Sequence, residues 1–131
     1  MNYIGMINLQ IILNYKPSSI PESKRLMIPY VIHIATPLED GEQIAKKIIQ
    51  ERLGACCQIH KADSRYIWKQ NMRHQKEVIL SVKTFDYLIK DLERCVEEIH
   101  SYEHYEMIGY QLDYVSEKYL EWMKQSCKDY I

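Results

Sequence analysis

Residues 55–84 read ACCQIHKADSRYIWKQNMRHQKEVILSVKT. Ala55, Cys57 and Ile59 alternate with Cys56, Gln58 and His60, the period of two that places successive side chains on opposite faces of a strand. Polar Lys61–Ser64 reads as a bend or bulge, after which Tyr66-Ile67-Trp68 resumes the strand. Lys69–Arg73 turns the chain, and Glu77–Thr84 is a second β-rich run. The stretch predicts a long β-hairpin at the centre of the fold.

Working outward, each arm of the hairpin adjoins a helix and then another strand. On the N-terminal side, Pro29–Ala35 (PYVIHIA) is extended and Thr36-Pro37 ends it. Ile44, Ala45, Ile48, Ile49 and Leu53 then recur at helical spacing, with Asp40 as the cap and Gly54 as the glycine that stops the helix. On the C-terminal side, Thr84 or Asp86 caps a helix striped by Leu88, Leu92, Cys95, Val96 and Ile99, ending near His100. Tyr105–Asp113 alternates as a strand, and Ser116 starts a last short helix carrying Tyr119, Leu120 and Met123.

The order βαβ–βαβ–α predicts an α/β (α+β) chain with a ferredoxin-like βαββαβ sandwich and a C-terminal helix. Its sheet is antiparallel with both main helices on one face. The strands are nevertheless apolar on both faces, with Val31, Ile32, Ile34, Val78, Ile79, Leu80 and Val82. A sheet with an uncovered apolar face finds a partner, so a homo-oligomer is expected.

The 131 residues make one domain, expected over 27–131 and preceded by an extension and linker, 1–26. Met1–Tyr15 carries no charge. It is too short and too interrupted by Asn and Gln to span a bilayer, and it lacks the basic start of a signal peptide. A targeting extension is the alternative, with a cytoplasmic domain as the working expectation. Four cysteines without a CxxC pair indicate reduced thiols rather than a structural zinc site or a disulfide framework. A net charge of −1 with interspersed signs offers no basic stripe for nucleic acid. Four glycines and no GxGxxG or Walker pattern leave no phosphate cradle.

The chemistry-bearing stretch is His100-Ser101-Tyr102-Glu103-His104-Tyr105-Glu106. Imidazole and carboxylate are donors that divalent transition metals select. His100 is either a metal ligand or an imidazole at a helix C-terminus. His104 and Glu106 share one side of an incipient strand, as part of a site or as a solvated edge. Cys56 is either a thiolate ligand or a small apolar filler. No nucleophile stands beside a base, so catalysis is not expected.

Six segments, in register from Val31 to Trp122, resemble the CutA family of divalent-cation tolerance proteins. They are Ala35-Thr36-Pro37, Glu51–Cys56 (ERLGAC), Ser64–Trp68 (SRYIW), Glu77–Thr84 ending in Lys-Thr, His100–Glu103 with Glu106-Met107-Ile108, and Tyr119–Trp122 (YLEW). The resemblance implies a ferredoxin-like homotrimer related in architecture to PII signalling proteins. It also implies a role in tolerance to copper and other divalent metals, with no enzymatic activity. Metal candidates are then His100, Cys56 and His104. Tyr66, Trp68, Lys83, Tyr102, Glu103 and Glu106 are expected at clefts or subunit contacts. No cofactor is required, although copper or another divalent metal is the expected ligand. A PII-like small-molecule or nucleotide sensor, or a protein scaffold, is the alternative. Four positions depart from the family pattern. Asn71 stands where a glycine is common after the tryptophan, and asparagine's tolerance of positive φ is expected to keep the turn. Ser101 and Tyr105 stand in place of prolines, and Ile34 stands where some bacterial members carry a copper-binding cysteine.

Overall fold

The computed structural model describes residues 27–129, so the expectation for 1–26 lies outside the described residues. The elements are β1 (Pro29–Pro37), α1 (Gly41–Gln50), β2 (Cys56–Trp68), β3 (Asn71–Phe85), α2 (Ile89–Ile99), β4 (Met107–Gln111) and α3 (Glu117–Ser126). A 3-10 turn, Asp86–Leu88, leads into α2. The strands form one antiparallel sheet in the order β2-β3-β1-β4, the ferredoxin-like arrangement expected from the sequence.

Residues directly opposite each other in the ladder share a face. One face carries Tyr30, Ile32, Ile34, Val78, Leu80 and Val82, and it packs with Ile44, Ile48, Leu88, Leu92 and Val96 into the core. The apolar stripes of both helices supply their side of this layer, as the helical periodicity predicts. Ile49, read as part of the first stripe, is exposed instead. Met123 and Cys127 close the core from the C-terminal segment. The opposite face bears Val31, His33, Ile79, Ser81, Lys83, Ile108 and Tyr110, and among the described residues no helix layer packs over it. Ile108 and Tyr110 are 58% and 53% exposed there.

The hairpin departs from its sequence reading in two ways. Its register is unbroken from Cys56↔Lys83 to Trp68↔Asn71, so Lys61–Ser64 is neither bend nor bulge. Most of this strand is solvated, so polar side chains do not interrupt a ladder made by the backbone. Asp63 faces Lys76 across it and lies 3.5 Å from His74. The turn is also shorter than Lys69–Arg73. Only Lys69 (φ 51°) and Gln70 (φ 67°) lie outside the strands, both left-handed, as a two-residue hairpin of the I′ type requires. Left-handed geometry therefore falls on these two residues and not on Asn71, whose amide donates to Lys69 O at 3.3 Å. Placing Asn at 69 and Gly at 70 is expected to stabilise the protein by about 1 kcal/mol, because both residues tolerate φ > 0. Urea denaturation of the double variant checks this.

Three capping expectations change as well. Gly54 does not stop α1. The chain reverses at Arg52 (φ 57°), with Leu53 N–H donating to Ile48 O and Arg52 N–H to Ile49 O, the paired bonds of a Schellman motif. Gly54 is required for close approach, since a Cβ there would lie 2.5 Å from Val82 Cγ1. Asp40 does precede α1, but its carboxylate accepts a bond from Ser101 Oγ at 2.6 Å rather than capping the helix. Nor does Thr84 or Asp86 cap α2 through its side chain. Thr84 Oγ1 donates to Leu53 O at 2.7 Å, and Asp86 Oδ1 accepts from Ile28 N–H at 3.0 Å. The fourth strand is shorter than Tyr105–Asp113, which leaves 101–106 as a loop laid beside the end of β1.

Candidate functional site

The loop is fastened to the sheet at two points. Ala35 N–H donates to Glu106 O at 3.1 Å, and the His100 imidazole bridges Ala35 and Tyr102. The Tyr102 amide donates to His100 Nδ1 at 3.0 Å, so Nε2 carries the proton that is donated to Ala35 O at 2.8 Å. The ring stacks on Tyr105 at 4.1 Å between centroids and 11° between planes. His100 is 9% exposed. Both ring nitrogens are engaged, so His100 acts as the latch of the loop, and neither nitrogen has a lone pair free for a metal within this arrangement.

Ser101 and Tyr105, which depart from the family pattern, both have a visible role here. Ser101 ties the loop to Asp40, and Tyr105 provides the stacking partner of His100. A loop without those prolines is held by side-chain contacts instead.

Between this loop and the hairpin lies a cleft of about 940 Å³. Tyr66, Trp68, Arg73 and Gln75 line it from the hairpin, and Tyr102, Glu103, His104, Tyr105 and Glu106 from the loop. Ala35 and Glu77 also line it, both from positions on the face of the sheet opposite the helical layer. A hydrogen-bonded chain crosses it, in which Tyr66 Oη donates to Gln75 Oε1 at 2.6 Å and Gln75 Nε2 donates to Tyr102 Oη. Burial, with the nearby Glu77 carboxylate, raises the Tyr102 phenol above its ordinary pKa. The His104 ring lies 6.0 Å from that of Trp68.

Six of the residues singled out in the sequence thus meet here: Tyr66, Trp68, Tyr102, Glu103, His104 and Glu106. Cys56 and Lys83 do not line this cleft. They pair with each other across the ladder near the opposite end of β2, eight residues or about 27 Å along the strand from Ser64. Lys83 Nζ is bonded to Gln58 Oε1. Cys56, His100 and His104 therefore do not converge within one protomer. Among the described residues, no group of three or more His, Cys, Asp or Glu side chains is placed to hold an ion.

Sequence reasoning missed Arg73, Gln75 and Glu77. They alternate along β3 on the face that carries Tyr66 and Trp68, as their register shows. For Arg73 and Gln75 the signal was the period of two, hidden by extending the turn to Arg73, while Glu77 already stood at the start of the expected strand.

Two of the thiols, Cys57 and Cys127, are poor nucleophiles. Burial pushes Cys57 up to about 12 and Cys127 up to about 11, so neither yields appreciable thiolate near neutrality.

Residues 30–126 match the family model described as CutA1 divalent ion tolerance protein. A probable divalent-cation tolerance protein cutA homolog of Encephalitozoon cuniculi is 35% identical over 102 residues, 77% of this chain and 89% of that protein. The chloroplastic CutA protein of Arabidopsis thaliana is 33% identical over 110 residues, 82% of this chain and 60% of that protein. The crystal structure of CutA1 from Oryza sativa superposes with a TM-score of 0.75 at 32% identity, covering 79% of this chain and 98% of that one. With the family match running from β1 to the end of α3, the chain belongs to the CutA1 family of divalent ion tolerance proteins.

Proposed function

We propose that this chain is a homotrimeric binding protein, not an enzyme, that serves the response to divalent metal ions, copper among them. The observation that carries the reading is the match to the divalent-ion-tolerance family, with His104 at the rim of the cleft as a donor that a neighbouring protomer must complete, since Glu103 and Glu106 form no ion site with it among the described residues of one protomer. His104 is the first ligand in this proposal, because its imidazole has no hydrogen-bond partner among the described residues. Cys56 joins such a site only from another protomer. Trimerisation is supported by the uncovered sheet face with Ile108 and Tyr110, and by exposed Trp68, Ile67 and Met72 on the hairpin. The domain is taken as 27–131 with 1–26 as an extension. Four free thiols fit a reducing compartment such as the cytoplasm.

Calorimetric titration with copper(II) and zinc(II) tests the metal. Saturable uptake is expected, reduced at least tenfold in His104→Ala. Uptake at background, or unchanged in that variant, contradicts it. Sedimentation equilibrium tests the assembly, with three times the 15.7 kDa chain mass expected and a shift toward monomer in Tyr110→Asp. A monomeric wild-type chain would refute the trimer.

A further inference from the structure

Glu77 is the buried group that one protomer leaves incomplete. It is 8% exposed and lines the cleft, yet its carboxylate has no hydrogen bond or ion pair among the described residues. A carboxylate out of water and without a partner is costly, so such a group is kept where something completes it. The ladder narrows the cations that could do so. Paired residues share a face, which puts Arg73 and Lys83 of the hairpin on the Glu77 side and Lys61, Arg65 and Lys76 on the other. Lys83 is already bonded to Gln58. Arg73 is exposed and has neither ion pair nor hydrogen bond among the described residues. Within one protomer Arg73 and Glu77 form no ion pair and stand four residues apart along β3, about 13 Å at strand spacing. One face of the hairpin thus carries a buried carboxylate and an exposed guanidinium, each without a counter-charge.

We infer that the cleft of one protomer receives the hairpin tip of a second copy of this chain, whose Arg73 pairs with Glu77. The inference rests on the trimeric reading above, and it adds the direction of the ring and the charge pair that fixes it. A ring of three joins two different patches of the same surface, so a residue at one place in the chain meets a residue at another. The tip beside Arg73 carries Ile67 and Met72, 65% and 74% exposed, which gain cover when a neighbour seats them. The charges at the two ends are complementary, and a guanidinium offers a planar fork of donors to both oxygens of a carboxylate.

The test is charge reversal in the full chain, with assembly measured by sedimentation over a range of concentrations. Glu77→Arg and Arg73→Glu are each expected to weaken assembly at least tenfold, and the double variant is expected to recover most of the loss. Mixing the two single variants separates a pair between copies from a pair within one chain. Mixed trimers are expected in preference to either homotrimer, read by native mass spectrometry, because two of their three contacts then carry opposite charges. Recovery in the double variant with no gain on mixing overturns the pairing between copies. Where a reversed variant loses the far-ultraviolet circular dichroism of wild type, Glu77→Gln and Arg73→Gln replace it. Each is expected to weaken assembly several-fold, and both together no more than the larger alone, whereas fully additive losses overturn the pair. Copper uptake is read in the same samples. Uptake lost in Glu77→Gln with assembly unchanged overturns the pair and gives Glu77 to the metal. A monomeric wild-type chain overturns the trimeric reading itself, while a trimer indifferent to both reversals overturns only the ion pair.

Discussion

His100→Ala is expected to destabilise the protein by about 3 kcal/mol and to release the loop 101–106 from the sheet. The substitution strips a buried carbonyl, Ala35 O, and an amide, Tyr102 N–H, of their partners at once. Each orphaned buried group costs about 1–3 kcal/mol, and the lost stack on Tyr105 adds about 0.5–1.5 kcal/mol. Partial entry of water lowers the sum. Urea denaturation at fixed protomer concentration measures the change, since association would otherwise shift the midpoint. Hydrogen exchange is expected to quicken at the Tyr102 and Ala35 amides, both of which depend on the loop's position. A loss below about 1 kcal/mol with exchange unchanged would mean that the imidazole is not the latch and has a nitrogen to spare for a metal.

How the sequence announced this site follows from what kind of signal each part carries. Helix stripes and strand alternation repeat along the chain, so Ile44, Ile48, Leu92 and Val96 declared their faces, and the order of elements then followed from connectivity. The latch left no such trace. A histidine closing a helix and a histidine binding a metal look alike as letters, and only the two bonds to Ala35 and Tyr102 separate them. The hairpin turn was misread because Lys69 and Gln70 are poor residues for left-handed backbone, held there by the ladder on either side. That error hid Arg73 and Gln75, whereas Glu77 stood in the expected strand with no task given to it. Arg52 lies within the ERLGAC segment, but nothing local to that segment shows its task, since its partners lie more than seventy residues away.

Those partners give Arg52→Ala the second large effect, a destabilisation of about 2 kcal/mol centred on α3. The guanidinium donates to Ser126 O at 3.0 Å through Nε, and to Gln125 O at 2.8 Å and Cys127 O at 3.0 Å through Nη2. These carbonyls end a helix and have no partner within it, and the cation also meets the negative end of the helix dipole. Backbone adds a fourth tie, from Lys128 N–H to Arg52 O at 2.9 Å. Charge-assisted bonds are the stronger kind, but two of these are exposed, so the sum stays near 2 kcal/mol and not three times a buried bond. Alanine would lose the bonds and keep the left-handed φ of 57°, whereas glycine loses the bonds and relieves the backbone. Arg52→Gly is therefore expected to be less damaging than Arg52→Ala by about 1 kcal/mol, which separates the guanidinium from the turn. Thiol labelling reports where the loss occurs. Cys127 is buried, and the Arg52 charge lowers its pKa against the larger rise from burial. Removing that charge alone would slow alkylation of a docked Cys127. Faster alkylation in Arg52→Ala is thus expected only because α3 lifts from the core, with Met123 exposed beside it. Labelling no faster than wild type, with stability within about 0.5 kcal/mol, would show that α3 is held by its apolar face alone.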